Sequence, residues 1–261
     1  MIPKTIHYCW FGGNPKPKSV IKCIKSWKKK CPGYEIIEWN ESNYNVTQNR
    51  YMKEAYDEKK WAFVSDYARL DIIYRHGGVY LDTDVELIKP LDPFLDCIAF
   101  FGFQFDNTIN LGLGFGTEPE NKLIKSLLEI YNSISFYNAD RSLNLMPITD
   151  LLAPVFQNYG FELNNCLQNI KGIIVYPTDY FDPVDHSTGF IFKSKKNVSI
   201  HHYNASWYPE YKKIQRRIMR RNGRIFYIRT IPNRLLMKLM GKRRYENLKQ
   251  IIKYRKNNEK Q

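Results

Sequence analysis

Asp82 and Asp84 are two residues apart and directly follow the run Gly77-Gly78-Val79-Tyr80-Leu81. Val79–Leu81 reads as a short apolar strand, and Gly77-Gly78 as the turn that opens it. Alternate side chains of an extended segment point the same way, so the two carboxylates are expected to converge on one cation. Carboxylate oxygen is the donor that hard ions such as Mg²⁺ and Mn²⁺ prefer. The ends of strands in open α/β sheets are also where ligands bind. A lone D-x-D is common in unrelated proteins, so the weight of this one comes from its placement.

A second pair lies just upstream. Trp61, Val64, Ala68 and Ile72 recur at helical spacing and form an apolar stripe. Asp66 and Arg69 are three apart and share another face of that helix. The helix runs into the Gly77-Gly78 turn, so this face looks into the same space as Asp82 and Asp84. An ordinary surface pair of this kind contributes a few tenths of a kcal/mol. The two residues are therefore expected to matter more for activity than for stability.

These side chains need a sheet with helices around it. Strands are expected at Thr5–Trp10, Tyr34–Trp39, 79–82, Cys97–Phe103, Leu111–Phe115, Ile173–Tyr176 and Ser199–Tyr203. Helices are expected at Lys18–Lys30, Asn49–Glu58, 61–75, Glu118–Asn132 and Thr149–Gln157. Strands alternating with helices imply an α/β fold, with a mostly parallel central sheet and helices on both faces.

The combined pattern Ser65-Asp66-x-x-Arg69, then Gly77 to Asp84, closely resembles the sugar-transferase family that carries a D-x-D motif. That family includes bacterial capsular-polysaccharide glycosyltransferases, yeast Golgi mannosyltransferases and the catalytic domain of large clostridial glucosylating toxins. Ile2-Pro3-Lys4-x-Ile6-His7-x-x-Trp10-Phe11-Gly12 resembles its first strand and loop, and Tyr34–Asn40 its second strand. The likeness is good over residues 2–96 and thin over 97–207.

The resemblance implies the GT-A glycosyltransferase fold and a retaining hexosyl transfer. The donor it implies is a nucleotide-diphosphate sugar such as a UDP-sugar, with Mn²⁺ or Mg²⁺ held by Asp82 and Asp84. It implies that Trp10 borders the uracil ring, and that Asp66 and Arg69 contact donor-sugar hydroxyls, with Arg69 also near the β-phosphate. Tyr80 would pack under the metal site and Asn110 would face the sugar. The late run His201-His202-Tyr203-Asn204-Ala205-Ser206-Trp207 resembles the element that closes such sites. There Ser206 and Trp207 would meet the diphosphate. Strand alternation sends the two histidines in opposite directions, and His202, which precedes the Tyr-Asn turn, is expected to be the metal ligand.

The chain has 261 residues, enough for a good core. Its apolar content of 43%, with 19 Tyr and 15 Phe, argues against disorder. Five cysteines with no C-x-x-C favour reduced structural thiols over a disulfide frame or a zinc site. The start, Met1-Ile2-Pro3-Lys4, lacks a signal-peptide layout, so a cytoplasmic location is expected.

The net charge of +14 is concentrated at one end, where Pro209 to Gln261 holds 18 Lys and Arg against Glu210, Glu246 and Glu259. The expected division is therefore a catalytic domain over 1–208 and a basic amphipathic helical extension over 209–261. Leu235, Leu236, Leu239 and Met240 form an apolar side after Ile231-Pro232, and Tyr245, Leu248, Ile251 and Ile252 form another. Such a tail suits an anionic membrane surface. Together with the family resemblance, this leads to the expectation of a chain held peripherally on the inner face of the cell membrane and acting on a lipid-linked glycan acceptor in capsular or surface polysaccharide synthesis.

Two other classes compete with this reading. A haloacid-dehalogenase-type phosphatase also uses D-x-D after an apolar strand, but its motif carries Thr or Val where this chain has Glu86. A nucleic-acid-binding module would use the basic tail on phosphates, yet it leaves the D-x-D unexplained, and no nucleic-acid partner is expected.

Overall fold

The computed structural model describes residues 1–185, 188–204, 210–241 and 246. The chain divides into two compact units. One is Met1–Asp185 with Ile191–Tyr208, and the other is His186–Phe190 with Pro209–Gln261.

The first unit begins with β1 (Thr5–Cys9), α1 (Lys18–Lys30), β2 (Glu35–Trp39), α2 (Arg50–Asp57) and α3 (Trp61–His76). It continues with β3 (Gly78–Tyr80), β4 (Val85–Leu87), β5 (Ala99–Gly102), β6 (Phe115–Thr117) and α4 (Lys122–Ser133). Then come α5 (Ile148–Tyr159), β7 (Gln168–Ile170), β8 (Ile173–Tyr176), α6 (Thr178–Phe181) and β9 (Ser199–His201). Seven strands form one sheet in the order β2-β1-β3-β6-β5-β8-β7, while β4 and β9 form a separate pair. β2, β1, β3, β5 and β8 share one direction, and β6 and β7 run against them.

Alternation along the strands feeds two cores. Tyr80, Phe101 and Phe115 pack on one face with residues of α2 to α5. Val79, Leu81 and Phe100 pack on the other with Cys23 and Trp27 of α1 and with Val85 and Leu87 of β4. The Trp27 indole donates to the Val85 carbonyl at 2.7 Å, which ties α1 to the β4 strand. The expected α/β architecture with helices on both faces is the one found.

Gly77 and Gly78 explain how α3 turns into β3. Both have positive φ, 63° and 88°. A Cβ on Gly77 would sit 2.8 Å from the Pro119 backbone nitrogen, and one on Gly78 would sit 2.8 Å from the Thr5 carbonyl oxygen. Only glycine meets both requirements, so α3 ends where the D-x-D strand must begin.

Some expected elements shift. Leu111–Phe115 is not a strand; Leu111–Leu113 forms a 3₁₀ turn, and the strand, β6, begins only at Phe115. α4 starts at Lys122 because the Asn121 side chain caps the amides of Leu123 and Ile124 at 2.9 and 3.3 Å. β9 stops at His201, and Tyr203 takes φ of 51°, which breaks the strand two residues early. β4, β7 and α6 are too short to show as periodic patterns.

In the second unit, α7 runs unbroken over Glu210–Met240. The expected start after Ile231-Pro232 is thus replaced by one helix that passes through Pro232. Tyr245, Leu248, Ile251 and Ile252, the second apolar stretch, lie outside the described residues.

His7 of β1 makes a testable contribution to stability. It is 1% exposed and accepts a hydrogen bond from the Trp39 indole at 3.0 Å. Burial, reinforced by the neighbouring His76, lowers its pKa from 6.5 to about 4. Between those values the unfolded chain binds a proton that the folded chain refuses. Stability is therefore full above pH 6.5 and falls as pH drops towards 4, by up to ~3 kcal/mol for this group. Urea melts near pH 7 and pH 4.5 should show a smaller loss for His7→Asn than for wild type; equal losses would contradict this origin.

Candidate active site

The turn between β3 and β4 carries the D-x-D. β3 ends at Tyr80, and the Val85 amide donates to the Asp82 carbonyl at 3.0 Å, which closes the turn. Asp82 and Asp84 therefore converge because the chain bends, not because a strand alternates. β4 then pairs antiparallel with β9, and the register sets Val85 opposite His201.

That register decides between the histidines. His201 Nε2 lies 2.9 Å from Asp84 Oδ1, with its side chain 8% exposed. His202 turns the other way, to Glu86 at 3.0 Å, where Lys22 also binds. The expectation of His202 as metal ligand is corrected: the pair does alternate, but the antiparallel register sends His201 inward. Ligand atoms of Asp82, Asp84 and His201 all lie within 4.8 Å of one another, and among the described residues they are the group arranged to hold an ion.

The surroundings fit that role. His201 Nδ1 is buried with no hydrogen-bond partner. The ring packs on Tyr203 with centroids 3.9 Å apart, and the Tyr203 hydroxyl donates to Asp182 at 2.8 Å. Asp84 Oδ2 accepts from the Asn204 amide at 2.8 Å. Two carboxylates and one imidazole form a donor set suited to a hard or borderline divalent ion.

α3 supplies the cationic side. Arg69 binds Asp82 Oδ1 at 3.0 Å and Asp66 Oδ1 at 3.2 Å. Its guanidinium lies over the Tyr80 ring, 5.0 Å from the centroid. Arg69 is 4% and Asp66 7% exposed, so this is a buried network rather than the surface pair expected from spacing.

Protonation follows the burial. Burial raises Asp66 to about 6 against the opposing pull of Arg69. Burial also raises Asp82, again opposed by Arg69, with Asp84 adding to the rise. For Asp84 burial is outweighed by the charge and hydrogen bond of His201 and by the Asn204 amide, which hold it down at about 2. Burial lowers and Asp82 and Asp66 raise Arg69, with a net rise.

The remaining expected site residues are only partly gathered. Tyr80 is buried, with the Arg69 guanidinium over its ring. Trp10 follows β1 at the same sheet edge as the D-x-D. It is partly buried, its indole donates to the Asn14 carbonyl at 2.7 Å, and the Lys16 amine lies 5.8 Å from its ring centroid. Asn110 departs from expectation, because both ends of its amide are used. Its oxygen accepts from the Gly112 amide and its nitrogen donates to Gln104, each at 2.7 Å. It shapes a turn instead of presenting a free amide to a sugar. Ser206 and Trp207 lie outside the described residues.

The turn that Asn110 shapes contains a residue not singled out in the sequence. A Cβ on Gly112 would overlap Asp82 Oδ2. Gly112→Ala is expected to displace that carboxylate and reduce activity by ~10-fold or more while moving the melting temperature little. Wild-type kinetics in this variant would show that Asp82 adjusts freely. The sequence signal was the Asn-x-Gly spacing, which marks a tight turn but does not reveal what the glycine faces.

Residues 17–100 match the family model described as "Glycosyltransferase sugar-binding region containing DXD motif". The inositol phosphoceramide mannosyltransferase 1 of Schizosaccharomyces pombe is 27% identical over 175 residues, covering 61% of this chain and 51% of the relative. A glycosyltransferase of Acanthamoeba polyphaga mimivirus is 35% identical over 107 residues, covering 39% of this chain and 43% of the relative. The chain thus spans about half the length of the curated relatives it matches. Among solved structures, the PaToxG glycosyltransferase aligns at 17% identity and a TM-score of 0.48, covering 60% of this chain and 69% of that one.

Proposed function

We propose that this protein is a metal-dependent retaining glycosyltransferase. In this reading it moves a hexose from a nucleotide-diphosphate sugar, a UDP-sugar first, to a glycan acceptor. The observation that carries the reading is the convergence of Asp82, Asp84 and His201 beside the buried Arg69. A divalent ion, Mn²⁺ or Mg²⁺, would be held by Asp82, Asp84 and His201 and would supply Lewis-acid neutralisation of the leaving diphosphate.

The chain's own residues prepare that step. Two carboxylates this close repel an incoming diphosphate, and Arg69 offsets part of that charge from within the protein. Asp84, held ionised down to about pH 2, stays anionic at any working pH. Arg69 braces Asp82 and Asp66 in fixed positions, so the site needs little rearrangement when charge develops. In the transfer the bond from the sugar's anomeric carbon to the phosphate oxygen breaks and a bond to the acceptor oxygen forms. The acceptor proton passes to the departing phosphate, and the donor's configuration is kept.

A lipid-linked acceptor in capsular or surface polysaccharide synthesis, at the inner face of the cell membrane, completes the proposal. It is supported by the basic charge of 209–261 and by relatives whose names include a ceramide lipid. Incubation with Mn²⁺ and a panel of UDP- and GDP-sugars tests it: nucleotide release from at least one donor is expected, and release from none would overturn it.

The histidines give a sharper check on the site. His201→Ala should weaken Mn²⁺ binding by at least ~10-fold, the scale on which groups around a metal matter. His202→Ala should leave it within about twofold. Calorimetric titration of Mn²⁺ in the presence of UDP separates them, and the reverse order would return the role to His202.

A further inference from the structure

α7 leaves a row of aliphatic residues exposed along one side. Its less exposed positions include Lys213, Arg216, Arg220, Gly223, Tyr227 and Thr230, spaced three and four apart. Within its own unit the middle of α7 meets Thr188 to Phe190. Arg224 donates to the Thr188 carbonyl at 2.6 Å, and Phe190 meets Tyr227 with ring centroids 5.2 Å apart. The opposite side holds Ile214, Ile218, Ile225, Ile228, Leu235 and Leu239, all exposed, with Ile218 at 53% and Leu239 at 83%. Soluble proteins rarely leave an apolar row of this length facing water.

The row follows a seven-residue period. Tyr211, Ile218, Ile225 and Leu239 share one register, and Ile214, Ile228 and Leu235 the other. A period of seven is also the mark of a helical partner such as a second copy of this chain. The sequence argues against that. Arg221 and Pro232 fall at seam positions, and the places beside the seam hold Arg217, Arg224, Arg229 and Lys238. Two copies would bury Arg221 in the seam and, antiparallel, set the flank of Arg217, Arg224 and Lys238 against its own copy. The same arrangement, apolar row within a basic border, complements a lipid surface with anionic headgroups. No described helix is long and apolar enough to cross a membrane, so α7 would lie along the surface.

We propose that the exposed Ile214–Leu239 row of α7 is a membrane-embedding face, and that α7 lies in the plane of an anionic bilayer with its basic border on the headgroups. This deepens the membrane-surface location proposed above. It is independent of sugar transfer, because donor hydrolysis needs only the first unit's site residues.

Flotation of the full-length protein with vesicles of equal parts phosphatidylglycerol and phosphatidylcholine tests it, beside vesicles of phosphatidylcholine alone. Binding to the first and not the second is expected, with loss in high salt. Replacing Ile218 and Ile228 by Asp should abolish flotation. Replacing Arg217, Arg221 and Arg229 by Gln should weaken it about a hundredfold, since each base near such a surface contributes about fivefold. Unchanged helical circular dichroism and donor hydrolysis in these variants show that fold and active site are intact. No flotation of the wild type, equal flotation of the Asp variant, or self-association that the Asp variant removes would each overturn the proposal. The last would assign the row to a second copy.

Discussion

Asp84→Ala is expected to lower both sugar transfer and donor hydrolysis by at least ~10²-fold, the scale on which one charge-stabilising group is felt. Asp82→Ala should be nearly as severe. Asp84 also fastens the chain's late return, through His201 at 2.9 Å and the Asn204 amide at 2.8 Å. Its removal leaves those groups without their acceptor and should cost ~1–3 kcal/mol of stability as well. Asp84→Asn separates the two effects, because an amide oxygen still accepts from Asn204 but binds a divalent ion poorly. The asparagine variant should melt closer to wild type than the alanine variant and be nearly as inactive. An asparagine variant with wild-type turnover would show that the carboxylate charge is not needed.

Arg69→Ala is expected to be the most damaging change to the fold at the site. Spacing alone suggests a surface pair contributing ~0–1 kcal/mol. In the structure Arg69 is 4% exposed and stands between Asp66 and Asp82. Removing one partner of a buried ionic group strands the others and costs ~3–5 kcal/mol. Arg69→Ala should therefore lose activity and also unfold in less denaturant. Asp66→Ala should be milder, because Arg69 retains Asp82. With burial already lifting Asp66 to about 6, little is lost when that carboxyl goes. Urea unfolding of both variants decides it; a shift below about 1 kcal/mol for Arg69→Ala would return the network to the surface.

The sequence showed what is local. The α1 limits, the α3 stripe, the glycine turn and the two aspartates all rest on spacing within a few residues. What it did not show depends on long-range register. His201 faces the site because β9 pairs with β4 from more than a hundred residues away, with Val85 opposite His201. Gly112 matters because its turn lies against Asp82. Asn110 looked available because nothing local shows that Gln104 already holds its amide. Burial was the other hidden quantity: the same i,i+3 spacing of Asp66 and Arg69 serves an exposed pair or a buried one.

The most direct test of the central claim is donor turnover with and without metal. The protein is stripped with EDTA, dialysed, and given a UDP-sugar it hydrolyses, and released nucleotide is followed as Mn²⁺ is added back. The site built by Asp82, Asp84 and His201 predicts loss of turnover on stripping and its recovery with Mn²⁺. Normal turnover by the stripped enzyme would contradict it.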